Sequence, residues 1–319
     1  MPPPALPDFL RQHPLILGEG AIIERLRRNP ATPLDPHLVN SGFWYQPDRR
    51  EALVSLYRQY LAIGRAHDLP LLMSAPTWRA NAPNIAAAGY GHEEVNGDNV
   101  RWLQALRAET GTYAAKVVIA GMIGSRGDAY RPDPALDRRE ARVFHAWQAD
   151  RLAAAAPDFL LGITLPALEE ALGLAGAIAA TGLPGVISFV VRPTGTLLDG
   201  TLLAAAIAHI DRDIKPTPAG YLLNCTHPDF ALAALQQPAN ASPELRSRLL
   251  GLLGNTAALS PEELDGREQL VEAEPDAFAA AMLRLHDATG LKILGGCCGT
   301  DDRHIRALAD RIAARKTTA

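Results

Sequence analysis

The chain has three cysteines in 319 residues, and their settings favour chemistry over packing. Cys225 stands in Tyr-Leu-Leu-Asn-Cys-Thr-His-Pro (221–228), and Cys297 and Cys298 are adjacent in Leu-Gly-Gly-Cys-Cys-Gly-Thr (294–300). All three sit beside Gly or Asn in loop-like contexts, outside apolar helix faces. An odd, low count argues against a disulfide framework. Adjacent cysteines are also poorly placed to bridge each other without strain. Brought to one point, three thiolates suit Zn²⁺, which binds soft sulfur at ~2.3 Å in a tetrahedron. Three protein ligands leave a fourth position open, as in catalytic zinc sites.

Such a centre donates heavily to the metal and makes it a poor Lewis acid for carbonyls or water. It suits an incoming thiol, because coordination deprotonates the thiol and keeps it nucleophilic at neutral pH. The matching reaction is attack of that sulfur on a methyl carbon carried by a sulfonium or quaternary ammonium group. Methyl transfer of this kind needs alignment and charge balance more than acid–base help. Gly295, Gly296 and Gly299 let the backbone approach a ligand closely, and Gly296 is read as a substrate-contacting position. Thr300 or Asp301 can cap the helix that follows. Two other readings stay open: a vicinal redox pair, or a closed structural zinc completed by His227 or His304. His227 also reads as a surface residue at a helix start, and His304 as solvated on the last helix. The elements of a zinc deaminase are absent.

The elements that must converge these cysteines are short apolar runs alternating with amphipathic stretches. The runs are 15–18, 71–74, 116–121, 158–162, 185–191, 220–224, 250–254 and 291–295. Each reads as a strand buried on both faces. Helices are predicted over 48–67, 138–156, 166–180, 199–211, 275–289 and 301–314. Two stretches, 30–47 and 78–97, read as long loops. About eight strand–helix units in one chain predict a single α/β domain over 1–319, a (β/α)8 TIM barrel. A doubly wound open sheet is the alternative. In the barrel, Cys225 ends strand six and Cys297 and Cys298 end strand eight, on the face where barrel sites are built.

A hydrophobic content of 48%, a charged content of 21% and a net charge of -4 are ordinary for a globular protein. They provide no basic field for nucleic acid or an anionic membrane. The proline-rich stretch 1–7 lacks a basic region and leads into no apolar signal segment. No apolar run is long enough to span a bilayer. The expectation is a cytoplasmic protein whose partners are a small-molecule thiol and a methyl donor, with room for a homo-oligomer.

Further motifs accompany the cysteines in order: Gly121-Met-Ile-Gly-Ser-Arg-Gly127, read as a strand-end turn, then Asp128-Ala-Tyr130, His145-Ala-Trp-Gln148, Ile187-Ser-Phe189 and Asp199-Gly200. With Asn224-Cys225 and Gly295 to Thr300, this set resembles the homocysteine S-methyltransferase family, from about Gly18 to Leu308. The resemblance implies a zinc barrel that methylates homocysteine in one step, with Cys225, Cys297 and Cys298 as metal ligands. No cobalamin or folate module fits in the remaining length.

The chain departs from the family where the acceptor binds. The family's Asp-Gly-Gly/Ala-Met-Gly-Thr is here Glu19-Gly20-Ala21-Ile22-Ile23-Glu24, so Glu19 keeps the carboxylate and the Gly-Thr pair is gone. The family's Glu-Thr-x-Pro is here Ile163-Thr164-Leu165-Pro166, so Ile163 replaces a Glu that helps hold the homocysteine amino group. Losing that partner is worth of order 1.5–3 kcal/mol. Either Glu19 serves alone, or the acceptor is a thiol without the usual amino group. A third reading is a zinc-binding thiol sensor without turnover. Glu19, Thr164, Asn224, Trp78 and Gly296 are the candidate substrate-binding residues. Trp78 could face a methylated cation or equally well pack the loop, and Arg79 could meet a substrate carboxylate or a surface ion pair.

Overall fold

In a computed structural model of the chain, eight parallel strands close into one barrel in sequence order. The structure describes residues 4–259, 263 and 273–318. The first three residues of the proline-rich N-terminal stretch lie outside it. The strands are β1 (Ile16–Gly18), β2 (Leu71–Ser74), β3 (Val117–Gly124), β4 (Phe159–Leu165), β5 (Gly185–Phe189), β6 (Gly220–Thr226), β7 (Leu249–Gly254) and β8 (Ile293–Gly296). Closure comes from β1 on β8, with Ile16 opposite Ile293 and Leu17 opposite Leu294. Every expected strand is present, and almost every strand residue is buried. The cause is two apolar environments. Phe159, Leu161 and Ile163 join the cluster inside the barrel, while Leu160 and Leu165 join the layer under the helices.

Twelve α-helices are described: α1 (Leu6–Gln12), α2 (Ile23–Arg27), α3 (Pro47–Ala66), α4 (Ala82–Ala87), α5 (Val95–Ala108), α6 (Arg138–Ala154), α7 (Leu168–Ala180), α8 (Leu203–Asp213), α9 (Pro228–Gln236), α10 (Pro243–Arg248), α11 (Pro275–Thr289) and α12 (Asp302–Thr318). Leu6 and Phe9 of α1 belong to the inner cluster with Ile16, Phe159 and Ile293, so α1 packs onto the barrel interior. None of the described helices is long and apolar enough to cross a membrane.

Three expectations are corrected. The segment from Gly121, read as a turn, continues β3 to Gly124, because β4 offers partners as far as Gly124 opposite Ile163. The stretch 78–97, read as a loop, contains α4 and the start of α5. Asn81 caps α4 by accepting from the Asn84 N–H at 3.0 Å. The helix expected from 199 starts at Leu203. Asp199 is spent elsewhere: its carboxylate accepts the Leu168 N–H at the start of α7, at 2.7 Å, and the Thr201 N–H at 2.8 Å.

Candidate metal centre

Cys225 reaches the barrel mouth through an irregular backbone. The β6–β7 register shifts between Asn224 and Thr226, and Cys225 itself has φ +51°. A bulge at a strand end re-aims a side chain. A left-handed conformation at a residue with a Cβ costs of order 1–3 kcal/mol. Thr164, at φ +58° beside a register shift in β4, is a second such residue. One buried amide holds both. Asn224 donates through Nδ2 to Thr164 Oγ1 at 2.7 Å. Its Oδ1 accepts the Thr164 N–H at 3.1 Å and the Ser188 hydroxyl at 2.6 Å. The ends of β4, β5 and β6 are thereby fastened together.

Cys297 and Cys298 follow β8 and are held from two sides. The Cys297 N–H donates to Gly254 O at 2.8 Å. The Cys298 N–H donates to Asn255 Oδ1 at 3.1 Å, and Cys298 O accepts the Thr256 N–H at 3.2 Å. From the β1 side, Glu24 accepts the Gly299 N–H, and Thr300 Oγ1 accepts the Ala21 N–H at 3.0 Å. Two glycines make this possible. Gly299 has φ +83°, and a Cβ at Gly296 would collide with the Thr300 side chain. The space at Gly296 is therefore taken by Thr300, not left for a ligand. Asp301 accepts from the N–H groups of Arg303 and His304 at 2.9 and 3.4 Å and starts α12.

The three sulfurs lie within 4.8 Å of one another, the one such set of His, Cys, Asp or Glu groups among the described residues. The Cys225 and Cys297 sulfurs approach each other directly, and Cys298 completes the cluster. The donor set fits a thiophilic ion: sulfurs bound at ~2.3 Å in a tetrahedron stand about 3.8 Å apart. Burial, and then the Glu24 carboxylate, push the Cys298 thiol up to about 11. A sulfur in that position calls for a cation before it can be an anion at neutral pH. Ligation of one metal by the whole set needs all three sulfurs reduced.

Two carboxylates follow β1, Glu19 and Glu24, and the Glu19 carbonyl accepts the Gly296 N–H at 2.8 Å. Glu19 accepts the Ser74 N–H through Oε1 at 3.0 Å, while its buried Oε2 has no partner. Burial pushes this carboxyl up to about 8, with the Ser74 bond opposing. Glu24 binds Arg28 at 2.8 Å as well as Gly299. Ile163 is buried in the wall of the barrel interior, against whose cluster Trp78, Met122 and Cys297 also pack. Arg79 lies over the Trp78 ring at 4.4 Å. One guanidinium nitrogen of Arg79 donates to the carbonyls of Ser125 and Arg126, both at 3.1 Å. Arg79 therefore braces the β3–α6 loop, and one face of the Trp78 indole is already taken by a cation of the chain itself.

The histidines weighed as fourth ligands lie outside the sulfur cluster. His227 is buried and caps α9, its Nδ1 accepting the Asp229 N–H at 3.2 Å. His304, expected to be solvated, is fully buried between Asp301 Oδ1 at 2.8 Å and the Ala273 carbonyl at 2.9 Å. Three site residues went unassigned in the sequence. Glu24 ends the segment aligned with the family's N-terminal motif, where it stands in place of the family's Thr and has no assigned role, and Asn255 lies next to no motif that marks it. Tyr130 was visible within Asp128-Ala-Tyr130, but nothing there indicated that its hydroxyl lies 3.7 Å from Cys298 Sγ.

Comparison with known proteins bears on the whole barrel. The homocysteine methyltransferase MmuM from Escherichia coli shares the fold. Its metallated form superposes with a TM-score of 0.74 at 22% identity, covering 95% of this chain and 98% of that one. The oxidised form reaches 0.75 at 22% identity, covering 95% and 97%. The methionine synthase of Mycobacterium leprae (strain TN) is 29% identical over 140 residues, which is 42% of this chain and 10% of that protein. This chain therefore matches about a tenth of that relative's length. The profile described as homocysteine S-methyltransferase matches residues 16–312, so the chain belongs to the homocysteine S-methyltransferase family of thiol methyltransferases.

Proposed function

We propose that Cys225, Cys297 and Cys298 together hold one zinc ion, and that the protein moves a methyl group from a sulfonium or quaternary ammonium donor to a thiol, homocysteine first. The observation that carries this reading is the set of three sulfurs within 4.8 Å at the mouth of a family barrel. Zinc, when bound, supplies the positive charge that keeps the acceptor sulfur a thiolate at neutral pH. The chain supplies position. Asn224, Thr164 and Ser188 hold Cys225 in its strained conformation. Thr164 and Asn224 thus serve the substrate indirectly. Glu19 offers a buried oxygen without a partner to the acceptor's ammonium group. In the transfer, a carbon–sulfur bond forms to the acceptor as the methyl–onium bond breaks, and the donor leaves as a neutral thioether or amine. The reacting atoms must be held ~3–3.5 Å apart and in line. Trp78 packs against the apolar cluster of the barrel interior beside the mouth.

The purified reduced protein is expected to carry one zinc per chain and to methylate homocysteine from S-methylmethionine or betaine. Cys298→Ala should lose both properties. A metal-free, folded and active wild-type protein would refute the assignment. A second reading is favoured by Ile163: an acceptor thiol without an α-amino group. It predicts equal kcat/KM for homocysteine and its des-amino analogue. Three ligands that must stay reduced also favour a reducing compartment such as the cytoplasm for the working protein.

A further inference from the structure

Tyr130 is presented to the sulfur cluster by a built scaffold. Its ring packs with Cys225, Cys297 and Cys298 against Val190 and Leu198. Its hydroxyl lies 3.7 Å from Cys298 Sγ. The loop that carries it is tied down at successive residues. Arg79 holds the Ser125 and Arg126 carbonyls. Glu170 accepts the Arg126 N–H at 2.6 Å and meets buried His145 at 3.1 Å. Asp128 Oδ1 accepts the Tyr130 N–H at 2.9 Å. So much bracing is more than an aromatic packing residue requires.

We propose that Tyr130 is a positioning residue that donates its hydroxyl hydrogen bond to the Cys298 sulfur and thereby stabilises the ligand set. The proposal rests on the zinc reading above. Once Cys298 is a ligand its sulfur carries no proton, so only the tyrosine can donate. Three thiolates on one divalent ion leave a net negative charge in a largely buried site. An O–H dipole aimed at one sulfur offsets part of it without adding a competing ligand. The bond also distinguishes Cys298 from Cys225 and Cys297, for which no such side-chain donor is seen among the described residues. Hydrogen bonds to metal ligands of this kind typically change metal affinity 10–100-fold.

The test compares reduced wild type, Tyr130→Phe and Tyr130→Leu by zinc competition against a chromophoric chelator, and by the sulfur-to-metal charge-transfer band of the Co²⁺-loaded proteins. Phe keeps the ring and removes only the hydroxyl. The expected result is a 10-fold or greater loss of zinc affinity in Tyr130→Phe, with a displaced charge-transfer band and unchanged circular dichroism. Unchanged affinity and band in Tyr130→Phe overturn the proposal. Loss in Tyr130→Leu alone also overturns it, because ring packing then accounts for the effect. If wild type itself binds no zinc, it is the zinc reading that fails, so the two failures are distinguishable.

Discussion

Replacing Glu19 by Gln tests whether the mouth of the barrel stores a carboxylate for a cation. The side chain has one oxygen on the Ser74 N–H and one buried oxygen with no partner. Its carboxyl is pushed from 4.5 up to about 8, chiefly by burial. Because the folded protein binds this proton more tightly than the unfolded chain, the stability it contributes is complete below pH 4.5. That stability is lost as pH rises through 8. The displacement corresponds to a ceiling of about 5 kcal/mol, at 1.36 kcal/mol per pH unit. Relaxation and water entry reduce what is observed, so ~2 kcal/mol or more is expected across the window. Gln keeps the acceptor for Ser74 but places an amide donor where no acceptor waits. That cost is independent of pH, so the informative quantity is the pH dependence of the difference between the two proteins. In urea unfolding without substrate, Glu19→Gln should gain on wild type steadily between pH 5.5 and 8.5. Saturating homocysteine should stabilise wild type most at the alkaline end, where its ammonium meets an ionised carboxylate. Parallel stability curves from pH 5.5 to 8.5 would refute the idea of a buried, uncompensated Glu19. A pH-dependent gap that homocysteine leaves unchanged would refute its role in holding the acceptor.

Three further outcomes follow from the geometry. Asn224→Ala should cost ~2–4 kcal/mol in unfolding free energy, because the Thr164 N–H and the Thr164 and Ser188 hydroxyls lose their shared partner. Its zinc content should also fall, and a fully loaded variant would show that Cys225 needs no such support. Mild thiol oxidation should release the metal in step with loss of free thiols in the cluster, with recovery on adding reductant and zinc. Retention of zinc by fully oxidised protein would contradict the three-sulfur site. Ile163→Glu should raise the preference for homocysteine over its des-amino analogue by roughly 10-fold or more, from a charged hydrogen bond worth ~1.5–3 kcal/mol. An unaltered preference in a folded variant would show that residue 163 does not face the acceptor's amino group.

Much of the barrel was legible because its signals are local. A strand buried on both faces must be apolar throughout, so β2 was read with its observed bounds, and the other strands to within a few residues. α11, opening on Pro275 and closing before Gly290 at φ +75°, was equally plain. Errors arose where a residue's role is set by something distant in the chain. Asp199 looks like a helix start and instead caps α7. His304 looks like a solvated helix residue and is buried beneath Ala273. Trp78 and Arg79 are read one at a time in the sequence, and the structure lays one over the other.

The cysteines divide along the same line. Residue type and strand-end placement are properties of the sequence, and they suffice to say that three thiols can meet at one face of a closed barrel. Which groups serve those thiols depends on contacts between residues far apart in the chain. Thr164 and Asn224 are 60 positions apart and share their hydrogen bonds. Glu24 reaches the Gly299 N–H across 275 positions, and Tyr130 reaches Cys298 across 168. No local pattern carries such pairings. Barrel closure sets β1 beside β8, the positive φ at Cys225 re-aims its sulfur, and only then do side chains from separate loops meet. The sequence by itself determined which thiols can share one site; the tertiary structure alone decided which hydrogen bonds and buried charges surround them.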